Sequence, residues 1–177
     1  DDQHAEPARL ILESLHTLNP RHPGVLQYLA RAYQQLGVWE PLRALLPELH
    51  KQKVLGPEVF AEIQSVVYHG LLQSAAASSS LESLRALWKQ APAALRAGDE
   101  AFLVSYATAL CDCNAVEDAE KLLQEAINQR WSVKLVVGYG MLGRGSAAAQ
   151  LAVAEGWLAQ HAEDPYLLLT LGRLAKR

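Results

Sequence analysis

Leu26, Leu29, Ala30, Tyr33 and Gly37 follow one another at offsets that put four side chains on one helix face and a glycine at the helix end. The pattern comes back at Leu103, Tyr106, Ala107 and Leu110, with Asn114 where the turn should fall. A stripe of this kind cannot satisfy itself. Its small residue lets a second helix approach closely, and the large ones fill the space beside the crossing, so each copy requires another helix against it. Asn tolerates the left-handed conformation better than most residues other than Gly, which fits Asn114 to the turn. Behind it, Glu117, Asp118 and Glu120 fall in the first turn of a following helix, where negative charge is favoured. Ala119, Leu123 and Ala126 carry that helix's inner face.

Partial copies flank the two clear ones. Ala8, Leu12, Leu15 and Pro20 read as the second helix of a repeat lacking its first half, and Asp164-Pro165 with Leu168, Leu171 and Gly172 opens a new first helix. An irregular pair occupies Pro57 to Ser74 and Leu81 to Arg96, with Phe60, Ile63, Val67 and Leu71 as its inner stripe. The last pair spans Ser132 to Leu142 and Ser146 to His161. No segment alternates apolar and polar residues long enough to be a strand. The reading is all-α, a right-handed α-α superhelix of about ten helices. The copies around 20–53 and 100–131 resemble tetratricopeptide repeats. One helical-repeat domain over residues 1–177 is expected. Because helical patterns run to both ends, it is read as an excised, soluble fragment of a longer protein.

Among 177 residues half are apolar and a fifth charged, a globular balance, and the net charge of −3 with scattered Lys and Arg argues against nucleic acid as a partner. Cys111 and Cys113 lie two apart, which in a helix turns them about 200° from each other, so they cannot bridge. They also lack the spacing of zinc, redox or covalent-haem motifs. Of six histidines no two are three or four apart, so no helix presents a two-histidine metal site. His69 beside Tyr68 is read chiefly as a polar neighbour at a helix surface. The four tryptophans sit near helix ends or on apolar stripes, where packing accounts for them.

One run invites a chemical reading. Gly138-Tyr139-Gly140-Met141-Leu142-Gly143 matches G-x-G-x-x-G after Lys134-Leu135-Val136-Val137, a segment that would serve as a short strand, and Asp164 follows. Such glycines bring backbone close to a pyrophosphate, but only within a parallel sheet, and no second buried strand is in sight. The competing reading puts Tyr139 and Gly143 in a helix and its turn, spaced like Tyr33 and Gly37. The glycines then cost up to about 1 kcal/mol each relative to Ala, which predicts the most mobile hairpin here. With no nucleophile elbow, phosphate loop or paired carboxylates, neither catalysis nor a cofactor or metal is expected.

A family resemblance emerges from longer stretches: Leu42-Arg43-Ala44-Leu45-Leu46-Pro47, Leu84 to Pro92 with Trp88, and Ser105 to Leu110 with Ala119 to Leu123. Trp131, Tyr139-Gly140, Ala154 to Leu158, His161, and Asp164-Pro165 with Leu167 to Arg173 complete it. In order and spacing these resemble the C-terminal helical-repeat region of the proteobacterial HemY proteins, most specifically from Trp157 to Arg173. The resemblance implies a non-catalytic scaffold for protein partners, among them haem-pathway enzymes. It would sit at the bacterial inner membrane, behind an N-terminal pair of transmembrane helices and facing the cytoplasm. A porphyrin or haem carrier is the alternative, and a nucleotide-binding enzyme the third reading. Tetratricopeptide geometry would draw a partner groove from the first helices: Gln27, Arg31 and Gln34, then Thr108, Cys111 and Asp112. Tyr68 and His69 would join from the irregular pair, and Tyr166 and Arg173 from the last helix. Half-repeats at the ends also suggest a homodimer.

Overall fold

The computed structural model describes residues 5–177, with side chains from Glu6 onward. Its described residues form twelve α-helices and no strand. They divide into two compact units, one ending at Ser74 and the other running from Ala75 to Arg177.

In the first unit α1 (Ala5–Leu18), α2 (Pro23–Leu36), α3 (Trp39–Lys51) and α4 (Pro57–Ala77, crossing the boundary in its last turn) follow one another. α2 packs on both α1 and α3. The start of α2 is built into the sequence. The imidazole Nδ1 of His22 accepts the Val25 N–H at 3.3 Å, and Pro23 occupies a first-turn position where a missing N–H costs nothing. It ends at Gly37, whose φ of 64° is left-handed as the turn position requires. Leu26, Leu29, Ala30 and Tyr33 are all buried, against a core to which α3 adds Leu42, Leu45, Leu46 and Leu49. The Tyr33 hydroxyl donates to Glu13 at 3.1 Å, and Arg9 holds that carboxylate at 2.9 Å.

The second unit contains α5 (Leu81–Gln90), α6 (Ala93–Gly98), α7 (Glu100–Asp112), α8 (Val116–Gln129), α9 (Val133–Met141), α10 (Ala147–Gly156), α11 (Leu158–His161) and α12 (Pro165–Lys176). Two helices expected to be continuous are broken. Pro92 forces Ala91 into an extended conformation (ψ 138°) and separates α5 from α6. Trp157 separates α10 from α11. These short pieces account for twelve helices where about ten were expected. Asn114 takes φ 61° between α7 and α8, and residues 134–137 lie inside α9, so the strand needed for a dinucleotide site is a helix.

Several side-chain bonds in this unit join residues 32 to 34 apart. Arg85 pairs with Asp118 and Trp131 with Asp164, both 33 residues apart; Arg144 reaches the Asp112 carbonyl 32 residues back, and Thr170 the Val136 carbonyl 34 back. Each joins a group to its equivalent one helix pair earlier, which is what stacked repeats of that length produce.

The stack depends on α9, which packs against α7, α8 and α12. A methyl group added at Gly138 would lie 2.7 Å from a Val104 methyl of α7, and one at Gly140 2.6 Å from the Thr170 methyl of α12. Both glycines are therefore close-approach positions. Among the described residues no helix is long and apolar enough to cross a membrane.

Two outcomes test this packing. Gly138→Ala and Gly140→Ala each gain up to about 1 kcal/mol of helix propensity but incur overpacking of about 1–3 kcal/mol, a net loss of up to about 2 kcal/mol in urea unfolding. Gly172→Ala in α12, whose new methyl meets nothing within 4 Å, should instead stabilise by up to about 1 kcal/mol. The second outcome concerns alkali. Burial, then the hydrogen bond to Glu13, pushes the Tyr33 hydroxyl up to about 12, and burial does the same to Tyr106. The folded chain keeps these protons while an unfolded tyrosine releases its own near pH 10. Their contribution is complete below about pH 10 and is lost as pH rises towards about 12. Stability measured across that interval should fall, and less steeply in Tyr33→Phe and Tyr106→Phe.

Candidate interaction face

α7 and α9 lie side by side because Gly138 admits Val104, and together they leave one face open. The face holds an open cleft of about 600 Å³. α7 contributes Glu100 and Val104; α9 contributes Val133, Val137, Gly138 and Met141, with Ser132 and Lys134 at its start. The wall is aliphatic. Met141 is 63% exposed and Val133 39%, so apolar surface of the cleft meets water.

The charge at the rim is unequal. Glu100 is paired with Arg130 at 3.3 Å, and Arg130 also donates to the Gly98 carbonyl. Lys134 makes no ion pair with another described residue. Ser132 gives α9 no side-chain cap and the first turn carries no acid, so the positive end of the helix dipole adds to Lys134.

The residues expected from sequence to line a groove fall in both units. Gln27, Arg31 and Gln34 are exposed, at the spacing of a single face of α2. On α4, Tyr68 is buried with Val67 and Leu71, because the apolar stripe of that helix carries it inward, and His69 is half-buried. Burial raises the Tyr68 hydroxyl above its ordinary range. On α7, Thr108 is exposed one turn beyond Val104, and its hydroxyl donates to the Val104 carbonyl at 2.9 Å. Asp112 is exposed and lies 3.7 Å from Arg144, whereas Cys111 is buried and its thiol is pushed up by that burial. Tyr166 and Arg173 are exposed on α12.

Sequence reasoning missed Val104, Val137 and Met141. Val133, Val137 and Met141 do form an i, i+4, i+8 row, but beyond Lys134 α9 is apolar on every side, so no polar stripe marks which row stays open.

A second, polar cleft of about 420 Å³ lies where α8 ends, lined by Asn128, Trp131, Trp157, Gln160 and His161 among others. Its polar groups serve the fold. The Trp131 indole stacks on His161 with centroids 3.5 Å apart and donates to Asp164 at 3.0 Å; Trp157 donates to Asn128 at 3.2 Å and meets Tyr139 edge-on at 5.1 Å. Asp164 in turn accepts the Tyr166 and Leu167 N–H groups that begin α12. Desolvation raises its pKa, but the bonds from Trp131, Leu167 and Tyr166 and the nearby His161 together hold the carboxyl below its usual range. The described residues contain no group of three or more His, Cys, Asp or Glu side chains able to hold a metal ion.

No family model matches the chain, and no solved structure matches it significantly. It is 26% identical over 173 residues to Protein HemY of Escherichia coli (strain K12), and equally to Protein HemY of Shigella flexneri. The match covers 98% of this chain and 43% of each relative, so the chain spans less than half their length. Trp131, Trp157, His161 and Asp164, which carry much of the resemblance read from sequence, meet in the aromatic cluster that ties α8 to α12. Along nearly its whole length, then, the chain is similar to part of the HemY proteins.

Proposed function

We propose that this region is a tetratricopeptide-like adaptor that docks protein partners of haem biosynthesis as part of a longer chain anchored at the inner membrane. The observation that carries the docking role is the open aliphatic cleft between α7 and α9, with Met141 at its surface. The similarity to HemY proteins supports the haem link, and the side-chain bonds recurring every 32 to 34 residues support the repeat type. In stacked repeats the first helices line the surface that meets partners, and α7 and α9 hold those positions. Apolar centres rimmed by polar groups are where binding energy concentrates.

The test uses the full-length protein and its haem-pathway enzymes, co-purified from membranes. Met141→Glu with Val137→Asp places two carboxylates in the cleft. Recovery of a pathway enzyme should fall at least about tenfold, a loss of about 1.4 kcal/mol or more. Equal recovery with and without the substitutions, or no pathway enzyme recovered by the native protein, would contradict the proposal.

A further inference from the structure

An apolar cleft alone does not say what fills it; here the charge around it does. At its rim Glu100 is neutralised by Arg130, while Lys134 and the acid-free first turn of α9 remain unanswered. The cleft therefore presents aliphatic walls beside a net positive rim, in a chain whose overall charge is −3. A basic or uncharged apolar segment would leave that charge unpaired on docking, which costs free energy. Met141 at the surface can change rotamer to fit an incoming side chain, a property of its unbranched thioether. The volume of about 600 Å³ has room for more than one large side chain.

We infer that the α7–α9 cleft takes an acidic amphipathic segment of a partner protein, with large apolar side chains against Val104, Val137 and Met141 and a neighbouring Asp or Glu on Lys134. The inference rests on the adaptor reading above and names the chemistry of the partner. A helical occupant suits it, since side chains at i and i+3 or i+4 would place the apolar group and the carboxylate on one face.

A library of displayed peptides of about 12 residues, enough to carry such anchors over three turns, is selected on the protein, and the winners are titrated by fluorescence anisotropy. Selected sequences should pair Asp or Glu with Leu, Ile, Met or Phe at helical spacing. Lys134→Glu should weaken them at least about tenfold and remove most of their salt dependence, and Met141→Glu should weaken them at least as much. Both side chains are exposed, so circular dichroism and the unfolding midpoint should stay near those of the native protein. Peptides that lose affinity with Met141→Glu but not with Lys134→Glu, or that are basic, would overturn the acidic-segment inference and leave the adaptor reading standing. Binding indifferent to both substitutions, or no peptide selected, would overturn both. Self-association of the native chain abolished by Met141→Glu would make a second copy the occupant and overturn the inference.

Discussion

Close approach at two glycines of one short helix sets the geometry of the second unit. α9 has neighbours on three sides, and no side chain larger than hydrogen fits at Gly138 against Val104 or at Gly140 against Thr170. Glycine in a helix interior costs up to about 1 kcal/mol, so its presence twice within nine residues needs a return. The return is helix axes close enough for Tyr139, Leu135 and Val136 to be fully buried, and for the Thr170 hydroxyl to reach the Val136 carbonyl. The run that looks like a phosphate loop is thus a packing device. Its glycines bring helices together where a nucleotide fold would use them to approach a ligand.

The open cleft follows from the same contact. Drawing α9 onto α7 at Gly138 leaves Val133, Val137 and Met141 in a row beside Val104, with nothing in the second unit covering them. The helix ends after α8 are tied by the aromatic cluster, where Trp131 bridges the end of α8 to the cap of α12 through His161 and Asp164. Gln150 is fully buried, donating to Glu120 at 2.8 Å and accepting from Arg177 at 3.0 Å. Polar groups at the core are satisfied by the protein itself, while aliphatic groups on the open face are not. That division separates the part of the unit that holds the fold from the part that stays open.

The architecture was legible where local rules and burial agree. Leu26 to Gly37 and Leu103 to Asn114 gave helices, buried faces and left-handed turns together, because spacing, size and turn chemistry all point one way. The breaks at Pro92 and Trp157 were not anticipated; at Pro92 the break is set by a single backbone restriction inside an otherwise helical pattern. The candidate site was harder to read. Thr108 and Asp112 are exposed on α7, but Cys111 and Tyr68 are buried, since polarity and position in a repeat do not fix which way a half-apolar helix rolls. Nor could a helix whose one charge is Lys134 in its first turn announce that Met141 faces out and Leu135 faces in.

Hydrogen–deuterium exchange across residues 133–146 tests most directly whether the glycines of α9 serve packing. If they seat α9 against α7 and α12, the amides from Leu135 to Met141 should exchange about as slowly as those at the centre of α7, and Gly138→Ala should accelerate both helices together. Exchange over α9 as fast as over the following turn at residues 142–146, with α7 unaffected by the substitution, would show a helix loosened by its glycines and contradict the account.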